Sequence, residues 1–105
     1  MRALIWLLFS SACAGPIAPA AATESTPITA VRTDPVAQPH ELGQIAWIRD
    51  LEAGKAEAKS TGKPLLLLFT EVPGCSTVNG FADAALEDPL FVEATEDLFV
   101  PVVIY

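Results

Sequence analysis

The sequence predicts an α/β domain at residues 42–105, with the element order β-α-β-α-α-β. Three observations lead to this class. Residues 65–69 (LLLLF) are an uninterrupted apolar run, which is typical of a buried strand. Segments on both sides of this run have apolar residues at helical spacing and good capping residues. The chain then closes with a second apolar run, FVPVVIY. Helices that alternate with apolar strands favour an α/β fold with a parallel sheet.

The N-terminus has the organisation of a secretory signal. Arg2 precedes an apolar segment at residues 3–9, and small residues follow, ending in ACA at positions 12–14. This is the order of regions in a signal peptide, and the apolar segment is shorter than the roughly 20 residues of a membrane span. We therefore expect residues 1–14 to be a signal peptide and the protein to be periplasmic or secreted. In the alternative, Cys13 is the lipidated first residue of a bacterial lipoprotein.

A linker is predicted between the signal and the domain. Residues 15–41 are rich in Pro, Ala and Thr and contain few large apolar side chains. Such a segment buries too little surface to offset its ordering entropy, so we expect it to be extended and disordered. His40, the only histidine, lies at the end of this segment. We expect it to be solvated, because nothing nearby in sequence would position it as a ligand or a base.

The charge balance argues against polyanionic partners. The chain has six basic and thirteen acidic residues, a net charge of −7, and loss of the signal with Arg2 leaves a net charge of −8. Nucleic-acid binding is therefore not expected, nor is membrane association unless Cys13 is lipidated. The sequence contains neither a Gly-rich phosphate loop nor a Cys/His set at metal-binding spacing. No cofactor and no metal site are predicted.

The first half of the domain contains two predicted strands and one helix. Residues 44–48 (QIAWI) predict a short strand, although the last two side chains would serve equally well to pack against the next helix. Asp50 is a good N-cap for a helix over residues 51–61, and Gly62 supplies the left-handed residue that ends it. The apolar run at residues 65–69 is then expected to be a central strand covered on both faces.

The second half contains two predicted helices and the last strand. Apolar residues at helical spacing indicate the first helix, although Asn79-Gly80 weakens its first turn: Val78, Phe81, Ala82, Ala85 and Leu86. Asp88 and Pro89 are the N-cap and first residue of the next helix. The apolar positions of that helix are Leu90, Phe91, Ala94 and Leu98. Residues 99–105 predict a strand, with Pro101 either near its beginning or facing away from a neighbouring strand, because proline cannot donate to a sheet.

A cysteine lies where the apolar run passes into the next helix, in the segment VPGCST at residues 72–77. A thiol at a helix N-terminus faces unpaired backbone N–H groups and the positive end of the helix dipole, and both favour the nucleophilic thiolate. Thr77 is placed to cap this N-terminus or to donate its hydroxyl to the thiolate. Glu71 would oppose the thiolate if it lies near, or accept a proton if it is partly buried. Cys75 and Thr77 are therefore the predicted catalytic residues, and the alternative is that Cys75 is an inert turn residue.

Residues 44–105 resemble the N-terminal half of a thioredoxin-like domain. More narrowly, VPGCST is similar to the motif of the VPGUxT family of thioredoxin-like (seleno)proteins, in which selenocysteine or cysteine follows Val-Pro-Gly and a threonine stands two positions later. The resemblance implies that Cys75 is the reactive position. It also implies a cis-proline turn, a hairpin and a last helix beyond residue 105, so residues 42–105 are expected to be a partial, C-terminally truncated domain.

The resemblance also indicates what kind of chemistry to expect. A thioredoxin dithiol has its second cysteine three residues after the first, and Val78 stands at that position here. We therefore expect a monothiol redox protein that acts on a peroxide or a disulfide, with an external thiol reductant or a disulfide-bearing protein as partner. The alternative is a non-catalytic binding module that holds an extended peptide beside the Pro-Gly turn, or an inactive truncated fragment.

Overall fold

A computed structural model describes residues 26–105. The predicted signal peptide at residues 1–14, with Cys13, lies outside the described residues, and so do residues 15–25 of the predicted linker. In chain order the elements are a 3-10 helix (His40–Leu42), α1 (Leu51–Thr61), β1 (Leu65–Phe69), α2 (Ser76–Phe81), a π-helical segment (Ala82–Leu86), α3 (Pro89–Leu98) and β2 (Val100–Ile104). The combination of helices with two parallel strands confirms the predicted α/β class.

The sheet of the described residues consists of β1 and β2, which run parallel with Leu67 opposite Val102. Ile48 forms a single parallel bridge to Val102. The strand predicted at residues 44–48 is therefore wrong in extent. The reason is that the backbone next to Ile48 is bonded elsewhere: the Trp47 N–H donates to the Thr33 hydroxyl at 2.9 Å, and the Trp47 carbonyl accepts from the Thr33 N–H at 2.7 Å.

Helix α1 has the bounds and the caps that its sequence predicts. The Asp50 carboxylate accepts a hydrogen bond from the Ala53 N–H at 2.9 Å, which satisfies one of the free donors of the first turn. Gly62 ends the helix in the left-handed conformation, with φ 73°. Gly54 is buried against β2, where a Cβ atom would lie 2.4 Å from Cγ2 of Val102. The absence of a side chain at Gly54 therefore allows α1 to pack closely on the sheet.

The two later helices also begin where predicted, but α3 packs differently from its apolar pattern. Helix α2 continues into the π-helical segment, which buries Ala82 and Leu86. In α3, Asp88 accepts from the N–H groups of its first turn. The apolar positions noted in the sequence are exposed, with Leu90 at 77% and Leu98 at 61% of their full surface. Val92 packs against a core cluster and Thr95, three positions further along the helix, is buried instead, so only a narrow face of α3 contacts the protein.

The core lies on both faces of the sheet. One cluster joins the 3-10 helix and the π-helical segment to the sheet and consists of Leu42, Ile45, Trp47, Ala82, Leu86 and Val103. The other lies under α1 and consists of Ala30, Ile48, Val100 and Val102. The prediction that β1 is covered on both faces is wrong, because Leu67 and Phe69 are 41% and 69% exposed. Leu65 packs on the α1 cluster, but α1 does not extend over the rest of that face.

Part of the predicted linker belongs to the domain. Ala30 is buried, and its N–H donates to the Glu57 carboxylate at 2.7 Å. Arg32 forms an ion pair with the other oxygen of Glu57 and a bridge to Ile48. From residue 30 onward the prediction of disorder is therefore wrong: polar bonds to the buried Glu57 order a segment that has little apolar surface. No helix within residues 26–105 has the length and apolar character that a membrane span requires.

Candidate functional site

Cys75 lies at the start of α2, six residues beyond the end of β1. It is the N-cap residue, with extended backbone angles, and its free thiol is exposed to solvent. The Val72–Pro73 peptide bond in the preceding turn is cis. The sequence thus placed the thiol correctly between a strand and a helix N-terminus.

The turn before Cys75 is held from both sides. The buried Glu41 carboxylate accepts a hydrogen bond from the Gly74 N–H at 2.7 Å, and the Asn79 amide donates to the carbonyls of Gly74 and Cys75, both at 3.1 Å. A Cβ atom at position 74 would lie 2.6 Å from the Val78 side chain. Glycine is therefore required for this close approach, and the turn fixes where the sulfur emerges.

Glu41 is a site residue that the sequence reasoning missed. The Gly74 N–H lowers the pKa of this carboxyl below its ordinary value, since the bond stabilises the ionised form; its own backbone N–H acts in the same direction. By its sequence position, Glu41 belongs to the end of the predicted linker. Its 33-residue separation from Gly74 leaves no local signal that would have linked the two.

The surroundings of Cys75 favour the thiolate. The pKa of the thiol is lowered, first by the Val78 N–H and then by the Thr77 N–H, which belong to the free donors of the first helical turn. The Thr77 hydroxyl acts in the same direction more weakly. The sulfur makes no cap hydrogen bond of ordinary geometry, so we attribute the effect to the field of the N–H dipoles rather than to one strong bond.

Glu71 works against this effect. Its negative charge raises the pKa of the Cys75 thiol, although less than the backbone amides lower it. This agrees with the first of its two predicted roles, opposition to the thiolate. The structure therefore brings together the two predicted catalytic residues, Cys75 and Thr77, with a moderating charge beside them.

An open groove of about 650 Å³ lies beside the sulfur. Its polar residues are Thr70, Glu71 and Thr77, and apolar side chains form most of its remaining wall: Leu68, Phe69, Val78 and Phe81. Phe69 and Phe81 are largely exposed, which is unusual for side chains of this size. The groove gives Cys75 an apolar surface on which part of another molecule has room to lie.

His40 is exposed to solvent, as its sequence position predicts, but it is not isolated. Its side chain is half exposed, but Nε2 lies 2.8 Å from Oδ1 of Asp83 and Nδ1 lies 3.5 Å from Oε1 of Glu87. The 3-10 helix brings His40 to the π-helical segment, which contains Asp83 and is followed directly by Glu87. The three residues form a second cluster of ionisable groups.

Comparisons with protein-family models, with curated proteins and with solved structures find no match to this sequence or this fold. The thioredoxin-like relationship implied by VPGCST is therefore still a prediction. The geometry of the site is the basis on which a function is proposed.

Proposed function

We propose that the protein is a monothiol redox protein of the thioredoxin-like class, with Cys75 as its nucleophile. The observation that carries this proposal is an exposed thiol at a helix N-cap whose pKa is lowered by the N–H groups of Val78 and Thr77. The thiolate is the reactive form of cysteine, so a lowered pKa increases the reactive fraction at neutral pH. Strands β1 and β2 come before and after α2 and α3 in the chain and pair in parallel. This arrangement is compatible with the proposed thioredoxin-like class.

The chemistry requires an external thiol. With a peroxide, the thiolate of Cys75 attacks one oxygen; a sulfur–oxygen bond forms, the oxygen–oxygen bond breaks, and the departing oxygen takes a proton to give water or an alcohol. The resulting sulfenic acid condenses with an external thiol to give a mixed disulfide and water. A second external thiol attacks the mixed disulfide, releases the first as a disulfide and restores Cys75. With a disulfide substrate, the thiolate of Cys75 attacks one sulfur, the sulfur–sulfur bond breaks, and the other sulfur leaves as a thiol, so the mixed disulfide forms directly.

The apolar wall of the groove favours a thiol or disulfide carried on an apolar or peptide group. Phe69 and Phe81 lie on this wall. Contact with such a group would bring its sulfur to Cys75. The signal-like N-terminus supports the further proposal that this exchange takes place outside the cytoplasm, where protein disulfides persist.

Alkylation of Cys75 across a range of pH tests the proposal. In a Cys13→Ser variant Cys75 is the only thiol of the chain. The rate of alkylation by iodoacetamide should reach half its maximum at a lower pH in the folded protein than in the same variant unfolded in urea, where the pKa is about 8.5. The unfolded chain is a matched control, because it contains the same residue and the same neighbours in sequence.

The Thr77→Val variant sharpens the test. Loss of the Thr77 hydroxyl should raise the pH at which alkylation of the folded protein reaches half its maximal rate. This rise should be smaller than the difference in that pH between the folded and the unfolded chain, because both backbone N–H groups stay in place. Peroxide treatment followed by a sulfenic-acid probe should label Cys75, as detected by mass. Equal midpoints in the folded and unfolded chain, together with no labelling, would rule out the redox function.

A peptide-binding module is the second candidate, because the groove has a large exposed apolar wall. If this candidate is correct, a Cys75→Ser variant binds its peptide as tightly as the unsubstituted chain, and a Phe81→Ser variant does not. The redox proposal predicts the reverse for any thiol-dependent turnover: Cys75→Ser abolishes it, and Phe81→Ser only weakens it.

A further inference from the structure

We propose that His40, Asp83 and Glu87 form a binding site for a divalent transition-metal ion such as Zn²⁺. One ligand atom from each of the three residues lies within 4.8 Å of the other two. Zinc binds nitrogen and carboxylate oxygen at about 2.0–2.2 Å, so two ligands on one ion are about 3–3.5 Å apart. The Asp83 carboxylate lies 2.8 Å from Nε2 of His40 and the Glu87 carboxylate lies 3.5 Å from Nδ1, so these two distances involve different nitrogens of the ring. A side-chain rotation of these exposed groups, whose ligand atoms already lie within 4.8 Å of one another, would bring one nitrogen and both carboxylates to one ion.

The donor set selects the class of ion. One imidazole nitrogen and two carboxylate oxygens suit Zn²⁺ and its neighbours in the first transition row, whereas Ca²⁺ and Mg²⁺ prefer oxygen alone. The three side chains are exposed or half exposed, so water has access to complete the coordination. The two carboxylates balance the charge of the ion, in a chain that is acidic overall.

The backbone holds the three residues in place before any ion binds. Leu42, at the end of the 3-10 helix, is fully buried in a core cluster that also contains Leu86. Asp83 lies within the π-helical segment and Glu87 follows Leu86 at its end, where the Glu87 N–H donates to the Ala82 carbonyl at 3.0 Å. The packed core therefore fixes the backbone of the three residues, while their exposed side chains are free to turn toward an ion.

The site has a consequence for the position of the thiol. An ion bound by His40 would tie the 3-10 helix to the helical segment that follows α2. Glu41, the next residue, already holds the Gly74 N–H in the turn that precedes Cys75. The ion would therefore strengthen the frame around the thiol without contacting it.

Zinc titration of the full, untagged chain tests the site. Both cysteines are replaced, as Cys13→Ser/Cys75→Ser, because thiols also bind zinc. Calorimetry should show one ion bound per chain, and the imidazole proton resonances of His40 should shift in the NMR spectrum, where the single histidine makes the assignment unambiguous. Zinc should also raise the thermal midpoint, since it binds the folded state.

Substitutions of single residues distinguish a specific zinc site from weak, nonspecific binding of zinc to acidic side chains. His40→Ala and the nearly isosteric Asp83→Asn and Glu87→Gln should each weaken zinc binding by about tenfold or more. Glu93→Gln removes the same charge from an exposed position on α3 and should leave the affinity unchanged. Equal affinity in all of these variants, competition by Ca²⁺ as strong as that of Zn²⁺, or unshifted His40 resonances would each overturn the proposal.

Discussion

Helices α1 and α2 begin in different ways. Helix α1 starts at Asp50, whose carboxylate accepts a backbone hydrogen bond, and it buries Gly54 and Glu57. Helix α2 starts at Cys75, whose side chain makes no cap hydrogen bond, and none of its own residues is buried. Helix α1 therefore packs on the rest of the protein. Helix α2 instead leaves the N–H groups of its first turn without a side-chain cap and its apolar side chains at least partly exposed.

If Cys75 is the nucleophile that we propose, this difference marks where the protein has given up stability for chemistry. An N-cap aspartate contributes about 1 kcal/mol to a helix by satisfying a free N–H group. At the start of α2 the same N–H groups face a thiol, where they lower its pKa. Departures from the locally most stable residue concentrate at functional sites. Three experiments break or sharpen this comparison.

The largest effect on stability is expected when the glycine inside each helix is replaced by alanine, at Gly54 in α1 and at Gly80 in α2. Gly54→Ala places a Cβ atom 2.4 Å from Val102 and should destabilise the protein by about 1–3 kcal/mol, although alanine favours helix by about 1 kcal/mol. Gly80→Ala in α2 meets nothing within 4 Å and should stabilise by about 0.5–1 kcal/mol. Urea unfolding of both variants measures the contrast. Equal effects would show that the two helices are packed alike.

A smaller effect is expected from the caps themselves. Asp50→Ala removes the bond to the Ala53 N–H and should lower the free energy of unfolding by about 1 kcal/mol. Cys75→Ser places a better capping residue at the start of α2 and should not lower stability, while it removes the thiol. Thermal unfolding compares the two variants. A loss of stability in Cys75→Ser as large as that in Asp50→Ala would mean that Cys75 is a structural residue.

The smallest effect is expected from the acid titration of Glu41. The pKa of this carboxyl is lowered in the folded protein, so its contribution to stability is present above the unfolded value of about 4.5 and is lost as the pH falls through the lower folded value. Glu41→Gln cannot titrate, so its unfolding free energy should fall less between about pH 5 and pH 3 than that of the unsubstituted chain. Parallel pH profiles would show that the bond to Gly74 does not depend on the charge.

Local features of the fold were predictable because a few adjacent residues determine each of them. Asp50 and Asp88 cap their helices, and Gly62 ends the first helix, through bonds and backbone angles within one turn. The same local reasoning located Cys75 at a helix N-terminus and Thr77 beside it. These predictions depend on sequence neighbours alone, so tertiary packing had little opportunity to change them.

The sequence alone did not determine the contacts between residues that are distant in the chain. Glu41 reaches Gly74, and His40 reaches Asp83, only after the core has packed the 3-10 helix against the π-helical segment. The exposure of Phe69 was likewise undetermined, because an apolar run in sequence does not state how far α1 extends over the sheet. The order of the elements from α1 to β2 followed from the sequence, because local patterns determine each of them. Hydrophobic burial is non-directional, so the partners of these side chains were decided by tertiary packing.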